Sequence, residues 1–496
     1  MIGGVRKKIV IFLVVTFLFF NITYARIHWV PSAYLATIQG GIDIAKNGDT
    51  VLVLSGTYYE NINFKGKNIL VASNFIFDHN DRTILKTIID GSNKASVVTF
   101  NSGEDSIACI QGFTITNGCH SEGGGIFCMN SSPRIAYNII KENTGDASCI
   151  EPDQFTFGGS SGGGISCLDC SAIIEHNYII KNRSLASGEG ECLGGGIFFV
   201  GKHFLTIRYN LIASNLAEKG VNSYGIGGGG GIWGGDSCIA SIYNNTIVNN
   251  YAEEGGGGIF NCSLLPGTKF YNNIIAFNSE GIRVLYLPGY VFSPILTYND
   301  VWGNVNGNLS GFPPQVGDTT WGFNLNGVPC DSFYNITRNP LFVDTANFDF
   351  HLLVNSPCID AGDPFSPLDP DTTIADMGAF YYPHTQTLVK DDNRNLPVKF
   401  ELSQNYPNPF NPATTIPFTV YSSQFTVHSP IHTTLKIYNI KGQLVKTLVD
   451  EEKLPGNYNI IWDGKDNSGK EVSSGIYFYQ LKTKDYTTTR KMVLLR

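Results

Sequence analysis

Short apolar segments, each with an asparagine at a fixed place, recur through the middle of the chain. Five of them read RIAYNII, IIEHNYII, LTIRYNLI, SIYNNTIV and KFYNNIIA. They are rich in β-branched and aromatic residues, as short β-strands are. Upstream of each segment stands GGGI, and a second asparagine follows the first by five residues. The pattern predicts a repeated unit built of short strands and tight turns.

The spacing inside the unit is regular, whereas the spacing between units is not. The first asparagine follows the isoleucine of GGGI by 12 to 14 residues, but successive isoleucines are 39, 32, 35 and 27 residues apart. A rigid part joined by loops of unequal length is typical of a solenoid. Glycines cost about 1 kcal/mol each in a helix interior, which argues against a helical repeat. The chain is therefore predicted to form a parallel β-helix.

Two residue types are predicted to form structural ladders along this solenoid. Glycine accepts positive φ and brings no Cβ beneath a neighbouring coil. Asparagine tolerates the left-handed conformation, and its amide both donates and accepts, so stacked asparagines can hydrogen-bond from coil to coil. The predicted ladder residues are Gly125, Gly164, Gly196, Gly231, Gly258, Asn138, Asn177, Asn210, Asn245 and Asn273.

A family resemblance supports the same fold. The stretch TIQGGIDIAKNGDTVLVLSGTYYENINFKGKNILVAS, the later GFTITNG and the GGGI units together resemble the right-handed parallel β-helix proteins of the pectate-lyase-like class. The resemblance covers about 360 residues and implies a capping helix over residues 37–46. Ile38, Ile42 and Ala45 lie on one helical face, and Asn47-Gly48 predicts the helix end. These motifs specify the fold far better than an activity.

The start of the chain has the features of an export signal. Residues 1–25 are predicted to be a signal peptide, because three cations precede a 12-residue apolar run and Thr23-Tyr24-Ala25 offers small residues for cleavage. An uncleaved membrane anchor is the alternative, although the run is short for a bilayer span. The remainder is divided into a solenoid over 26–385, a linker over 386–400 and a small domain over 401–496. No transmembrane segment is expected in the mature chain.

The last domain has its own signature. Apolar and polar positions alternate between turns, which predicts a small Ig-like antiparallel β-sandwich. NYPNPFNP, IYNIKGQLV, WDGKDNSGKEVSSGIYFY and the terminal KMVLLR resemble the type A sorting domain of the type IX secretion system. That resemblance implies export by the secretion machinery, to the medium or to the outer-membrane surface. An ordinary Ig-like binding module is the alternative.

Charge bears on the partners to expect. Residues 26–386 hold 17 Lys and Arg against 32 Asp and Glu, a net charge of about −15. An acidic body repels polyanions, so nucleic acid is not expected as a partner. A polyuronate would need a local basic patch or bridging Ca²⁺.

Eleven cysteines all lie in the solenoid, so at least one has no partner within the chain. Cys128 and Cys167 follow the GGGI isoleucine by two positions and should stack in neighbouring coils, as thiols or as a disulfide. Cys149 and Cys192 lie in consecutive loops, where a bridge is the more natural expectation for an exported protein. Cys167 and Cys170 form a single CxxC without further ligands at zinc spacing.

The closing segment of the solenoid is rich in carboxylates. It resembles the end of many exported β-helix proteins, where a last strand and an acidic loop finish the stack. Five acids fall within 17 residues, namely Asp360, Asp363, Asp369, Asp371 and Asp376. Alternating aspartates suit Ca²⁺, but a solvated network of turns explains them equally well. No cofactor is required by the sequence.

The irregular intervals between units are predicted to be loops on one edge of the cylinder. They cover 144–161, 183–193, 216–228 and 251–255. Acids beside aromatic rings are typical of sugar-binding surfaces, although acids also keep loops soluble. The candidate ligand-binding residues are Asp153, Phe155, Phe157, Tyr224 and Tyr251, and the candidate catalytic acids are Glu189, Glu191, Glu253 and Glu254.

Three classes of function fit these observations. The first is a surface protein that binds an extracellular polysaccharide or surface glycan, or mediates adhesion, through this wall of loops. The second is a polysaccharide lyase or glycoside hydrolase, which would need paired carboxylates or Ca²⁺ with a base. The solenoid contains neither adjacent aspartates nor GHG, so the sequence favours binding over catalysis. The third is a structural spike without a ligand.

Overall fold

The computed structural model describes residues 25–149, 160–186, 190–219, 227–235, 238–262, 267–285, 295–384, 401–405, 407–420, 431–453, 456–484 and 486–495. Within them the chain forms a parallel β-helix followed by an antiparallel β-sandwich, as predicted. The predicted signal peptide and linker lie outside the described residues, apart from Ala25.

Three long parallel sheets form the sides of the solenoid. The first sheet consists of Ile27–Val30, Thr50–Val53, Leu70–Ser73, Cys109–Gln111, Arg134–Ala136, Ile173–Glu175, Phe204–Arg208, Ile239–Tyr243, Lys269–Tyr271 and Ile295–Thr297. The second consists of Gly56–Tyr58, Thr87–Asp90, Thr114–Thr116, Ile139–Lys141, Tyr178–Ile180, Leu211–Ala213, Thr246–Val248, Ile274–Ala276 and Asp300–Trp302. The third consists of Ile62–Asn63, Val98–Phe100, Ile126–Met129, Ile165–Leu168, Ile197–Val200, Ile232–Gly234, Ile259–Asn261, Ile282–Val284 and Leu309–Ser310.

Part of each predicted loop is in fact strand. Thr144–Asp146, Arg183–Ala186, Leu216–Lys219 and Tyr251–Ala252 form a fourth parallel sheet, and Ser160–Ser161, Cys192–Leu193 and Gly227–Gly228 form a fifth. These two sheets stack coil on coil beside the third sheet and are called the ridge below. The intervals do share one edge of the cylinder, but the prediction of irregular loops is wrong for these strands, because their backbone groups pair between coils.

Helices and hairpins close the solenoid. The capping helix is confirmed at Ile38–Ile44, with the Thr37 hydroxyl accepting from the Gly40 amide at 3.1 Å. Two short helices, Phe75–Asp78 and Asp81–Lys86, follow the third strand of the first sheet. Two 3-10 turns, Ala147–Cys149 and Thr345–Asn347, and two hairpins, Gly322–Phe323 with Pro329–Cys330 and Phe342–Asp344 with Asp349–Leu352, complete this part.

The C-terminal domain is a sandwich of two antiparallel sheets. Glu401–Leu402, Thr414–Val420 and Gly456–Trp462 form one sheet, and Ile431–Asn439, Leu444–Lys453, Gly475–Lys482 and Thr487–Leu494 form the other. Trp462, Tyr479 and Phe418 fill its core. This core is separate from the isoleucine-rich core of the solenoid.

Two ladders of buried asparagines run along the solenoid. Each side-chain amide donates to the Oδ1 of the next asparagine at 2.9–3.2 Å, and it also donates to a main-chain carbonyl of the preceding coil. One ladder is Asn138, Asn177, Asn210, Asn245, Asn273, Asn299 and Asn335, and the other is Asn143, Asn182, Asn215, Asn250, Asn278 and Asn304. The second ladder ends where Asn304 donates to the half-buried Asn308, four residues further along the chain. The ladder prediction is confirmed and extends beyond the five repeats.

The left-handed conformation falls one residue earlier than predicted. The residues at positive φ are those directly before the ladder asparagines, such as Tyr137, His176 and Tyr209, each at φ 54°. This conformation turns the chain sharply, so that the asparagine side chain enters the core and the preceding side chain points outward.

The last glycine of each GGGI lies directly beneath a neighbouring backbone. A Cβ on Gly164 would approach the Gly196 carbonyl oxygen to 2.6 Å, which no side chain tolerates. The glycine ladder is thus a requirement of coil stacking.

The cysteine predictions have mixed outcomes. Cys128 and Cys167 are aligned in adjacent strands, buried and not disulfide-bonded, as the stacked-thiol interpretation predicts. The expected Cys149–Cys192 bridge is wrong, because Cys149 forms a disulfide with Cys119. The fourth sheet brings these two together, since Cys119 pairs with Thr144 at its start.

Replacing Asn210 by alanine should destabilise the solenoid strongly. The change leaves the Asn177 amide and main-chain groups of two coils without partners in the core. Each orphaned buried group costs about 1–3 kcal/mol, so we expect a loss of about 3–5 kcal/mol in calorimetric unfolding of the full chain. Asn306→Ala, at an exposed position of the same solenoid, is the control. Equal effects of the two changes would contradict the role given to the ladder.

Candidate functional site

A cavity lies where the first sheet turns into the second. It has a volume of about 500 Å³ and is called the corner cavity below. One wall comes from the outward side chains of the solenoid and the other from the closing segment, residues 358–384, which returns along the same corner. The cavity is thus assembled from residues far apart in the chain.

The solenoid wall is a stack of aromatic rings. Tyr137, His176 and Tyr209 occupy equivalent places in successive coils, directly before the ladder asparagines. Their ring centroids are 4.7 and 5.0 Å apart, with interplanar angles of 1° and 6°. Phe75 packs at 5.5 Å against Tyr137 at one end of the stack. Because the faces of the rings cover one another, the edges of the rings and their polar atoms face the cavity.

The other wall is held by the two asparagines that replace the aromatic residue in later coils. The Asn244 side chain donates to the Asp376 carbonyl at 2.9 Å. The Asn272 side-chain oxygen accepts from the Asp363 amide at 2.8 Å, and its main-chain carbonyl accepts from the Gly378 amide at 2.7 Å. The segment therefore docks through the same register position that carries the rings.

The apolar side of the closing segment covers the second sheet. Met377 and Phe380 of this segment, with Phe350 of the preceding hairpin, pack with Leu211 and Ile274 in a second buried cluster on the outer face of that sheet. This packing fixes the acidic wall relative to the ring stack.

His176 is uncharged at neutral pH. Burial between two rings lowers the pKa of its imidazole to about 4. His176 and Gln111, which also lines the cavity, are half-buried, and neither side chain makes a hydrogen bond to another of the described residues. Two neutral polar groups are therefore available to a ligand.

Two carboxyl groups on the opposite wall hold protons unusually tightly. Burial raises the pKa of Asp369 to about 7 and that of Asp376 to about 8. Asp376 accepts from the amides of Asp360 and Tyr382, and Asp369 Oδ2 accepts from the Asp376 amide at 2.9 Å. In the described residues Asp369 Oδ1 has no hydrogen-bond partner, so this atom is available to a ligand.

An ion-pair triad with a buried carboxylate at its centre stands beside the cavity on the outer face of the first sheet. Glu175, 2 % exposed, lies between Arg134 and Arg208, and Arg208 Nε donates to it at 2.7 Å. Burial alone would raise the pKa of Glu175, but the two guanidinium groups outweigh it and lower the pKa. The triad is a fixed charged element within electrostatic reach of His176.

Among the described ridge acids, the neighbouring candidates Glu253 and Glu254 both interact with Lys219. The Lys219 amide donates to Glu253 at 3.1 Å, and the Lys219 ammonium pairs with Glu254. Glu191 and Tyr251 are exposed on the ridge. The remaining candidates, Glu189, Asp153, Phe155, Phe157 and Tyr224, lie outside the described residues.

The five aspartates of the closing segment serve mainly as hydrogen-bond acceptors. Asp363 accepts from the Phe365 amide, Asp371 from the His384 amide, and Asp360 pairs with the His384 ring at 2.9 Å. Over the described residues, no group of three or more His, Cys, Asp and Glu side chains is arranged to hold a metal ion. The calcium site stays a prediction without support from this arrangement.

Of the cavity residues, sequence analysis named only Asp369 and Asp376, as candidate calcium ligands, and it missed the others, although a signal for part of them exists. The position before the first-ladder asparagine reads Tyr, His, Tyr, Asn, Asn, Tyr and Tyr along the chain. The aromatic residues at this position indicate a row of side chains that point outward from the solenoid. The return of the closing segment to the same corner has no counterpart in the local pattern.

Comparisons with known proteins concern parts of the chain. Residues 418–486 match the family described as FlgD Ig-like domain. None of the curated proteins compared with the chain matches it. In the described residues, no helix is long and apolar enough to cross a membrane.

Three solved structures are similar at low identity. PorZ, an essential bacterial surface component of the type-IX secretion system of Porphyromonas gingivalis, is 18% identical over 19% of this chain and 11% of its own, with a TM-score of 0.14. Dimeric latent PorU from Porphyromonas gingivalis is 20% identical over 19% of this chain and 9% of its own, with a TM-score of 0.16. A pectin methylesterase mutant in complex with a hexasaccharide is 11% identical over 57% of this chain and 81% of its own, with a TM-score of 0.22. The function is therefore inferred from the geometry of the chain itself.

Removing the Asp369 carboxyl should remove a proton-binding group that titrates near neutrality. With its pKa raised to about 7, Asp369 contributes stability that is complete below its ordinary pKa and is lost as the pH rises through 7. Asp369→Asn should therefore flatten the fall in Tm between about pH 4 and about pH 7 and remove part of the protonated-carboxyl infrared band. Asp371→Asn, whose carboxyl has a lowered pKa, is the control and should leave the band unchanged. An unchanged band in Asp369→Asn would contradict the assignment.

Proposed function

We propose that this protein is exported and binds carbohydrate in the corner cavity. The observation that carries the proposal is the set of polar groups available there: the neutral His176 ring, the Gln111 amide and Asp369 Oδ1, beside a fixed stack of rings. Neutral donors and acceptors in a partly apolar recess suit hydroxyl groups, which bring no charge of their own. A volume of about 500 Å³ lies in the range of small-ligand sites, about 300–1,000 Å³.

Rigidity is a second support for binding at this place. The rings are held by left-handed turns above the buried asparagine ladder, so they lose little freedom when a ligand arrives. The ridge offers Tyr251 and several acids, but its described candidate acids are exposed, as is Glu191, or engaged by Lys219, as are Glu253 and Glu254. We therefore transfer the expected glycan site from the ridge to the corner cavity.

A glycoside hydrolase is the second candidate, and Asp369 is the reason for it. A carboxyl with a pKa of about 7 keeps a proton at neutral pH and can donate it to a leaving-group oxygen. A second carboxylate would have to act as nucleophile or base. The described geometry offers Asp376, although the amides of Asp360 and Tyr382 already occupy its oxygens.

Export is proposed from both ends of the chain. The predicted signal peptide would direct residues 26–496 across the inner membrane, and the C-terminal domain would act as a type A sorting domain for the type IX machinery. The Ig-like sandwich and the match of residues 418–486 support the fold that a sorting domain of this type requires. The mature protein would then be secreted or attached to the outer-membrane surface.

Changing Tyr209 should weaken glycan binding. Tyr209→Ala removes one ring of the stack and opens the wall, so we expect affinity for the best ligand of a glycan array to fall about tenfold or more in calorimetric titration. Tyr209→Phe keeps the ring and tests the hydroxyl alone, while Tyr251→Ala on the ridge should bind like wild type.

Other results of the same titration would overturn this assignment. Loss of binding in Tyr251→Ala alone would move the site to the ridge, and absence of binding to every glycan would favour a structural spike. Release of oligosaccharides by the wild-type protein, reduced about 100-fold in Asp369→Asn, would identify the hydrolase instead.

Deleting residues 401–496 should block the final export step. In a bacterium with the type IX system, the truncated protein should accumulate in the periplasm, because the signal peptide remains and the sorting address is lost. Cell fractionation measures its location. A soluble periplasmic reporter fused to residues 401–496 is the control and should reach the surface or medium. Normal secretion of the truncated protein would contradict the sorting role.

A further inference from the structure

The residue directly before the first strand of the solenoid, Arg26, is hydrogen-bonded to a buried carboxylate, that of Asp49. Asp49 directly precedes the second strand of the first sheet and is 6 % exposed. Its Oδ1 accepts from the Arg26 main-chain nitrogen at 2.8 Å, and its Oδ2 accepts from the Lys46 amide and the His28 ring, both at 2.9 Å. All three donors come from the end of the cylinder that the capping helix covers.

Asp49 is held in its charged form. Burial would raise its pKa, but the hydrogen bonds from His28, Lys46 and Arg26 outweigh burial and lower the pKa to about 2. A buried carboxylate gains most from a cationic partner, because charge-assisted hydrogen bonds are about twice as strong as neutral ones. The Arg26 nitrogen is the donor that chain processing can convert into a cation.

Arg26 stands at the predicted cleavage point. Thr23-Tyr24-Ala25 ends with the small residue that signal peptidases require, and the first strand starts at Ile27. Hydrolysis of the Ala25–Arg26 peptide bond by a signal peptidase consumes one water molecule. It leaves a carboxylate on Ala25 and a protonated α-amino group on Arg26.

We propose that Asp49 is a receptor for the new N-terminus, so that removal of the signal peptide locks the first strand into the solenoid. The α-ammonium keeps the hydrogen bond to Asp49 Oδ1 and adds a full positive charge to it, while its other protons face solvent at the exposed Arg26. The Arg26 carbonyl is fixed as well, since it accepts from the Thr50 amide at 2.8 Å. Both ends of this residue's backbone then hold the strand.

The lock matters because Ile27–Val30 is an edge strand. It pairs with Thr50–Val53 on one side, and no other described strand pairs with it. Unsecured edge strands fray and recruit other chains. Before cleavage the neutral amide makes the weaker bond, so the first strand is held less firmly than in the processed protein. The inference rests on the proposed export only for the cleavage event.

The lock is tested by combining acetylation of the N-terminus with the substitution Asp49→Asn. Chains that begin at Arg26 are prepared with a free or an acetylated N-terminus, each with Asp49 or with Asp49→Asn, and exchange of the amides of residues 27–30 is followed by mass spectrometry. Acetylation should speed this exchange about fivefold with Asp49 present and have little effect with Asp49→Asn. Asp43→Asn, which changes an exposed acid of the capping helix paired with Lys65, is the control and should keep the full effect of acetylation. Equal effects of acetylation with and without Asp49 would overturn the proposal.

A second measurement needs no variant. The α-amino pKa, obtained from the pH dependence of labelling by an amine-reactive reagent, should lie above the ordinary value of about 7.7–8.0, because Asp49 stabilises the ammonium. Within the part of the chain that the structure describes, His28 is the other titratable side chain in contact with Asp49. An unshifted α-amino pKa, or sequencing of the secreted protein that finds a start other than Arg26, would overturn the lock. Failure of the cell to export the chain would count against the proposed function, whereas results on the purified chain concern the lock alone.

Discussion

The buried asparagine ladder is the interaction on which the rest of the structure depends. An amide has both donors and an acceptor, so one side chain can satisfy main-chain carbonyls of its own and the preceding coil while it bonds to its equivalent in the next. A corner of stacked coils would otherwise bury several unpaired polar groups, each costing about 1–3 kcal/mol. The ladder removes that penalty and fixes the register of every coil. The glycines meet the steric part of the same constraint, since they allow neighbouring backbones to touch.

The ladder also explains where a ligand site can arise. To point its asparagine inward, each coil places the preceding residue in the left-handed conformation with its side chain outward. That outward position is free of the core and can vary. In three coils it carries the ring stack, and in two others it carries the asparagines that fasten the closing segment. The position before the ladder asparagine therefore supplies both the rings proposed to bind a ligand and the asparagines that hold the closing segment.

Much of the fold could be predicted from the sequence, because the residues that determine it act locally and repeat. GGGI and the asparagine pairs gave the correct solenoid, and period-two alternation gave the correct sandwich. The ridge strands were missed because intervals of unequal length hide their pairing between coils. The Cys119–Cys149 bridge and the corner cavity depend on contacts that no local pattern records. Asp369 reaches the ring stack from more than 150 residues away in the chain.

Hydrogen exchange of the full chain with and without a bound oligosaccharide is the measurement that tests the location of the site most directly. If the ligand binds in the corner cavity, we expect slower exchange in 134–137, 173–176 and 206–209 and in the closing segment around 368–381, with the ridge strands unchanged. Protection confined to the ridge, or protection absent from both walls of the corner cavity while the ligand is bound, would contradict it.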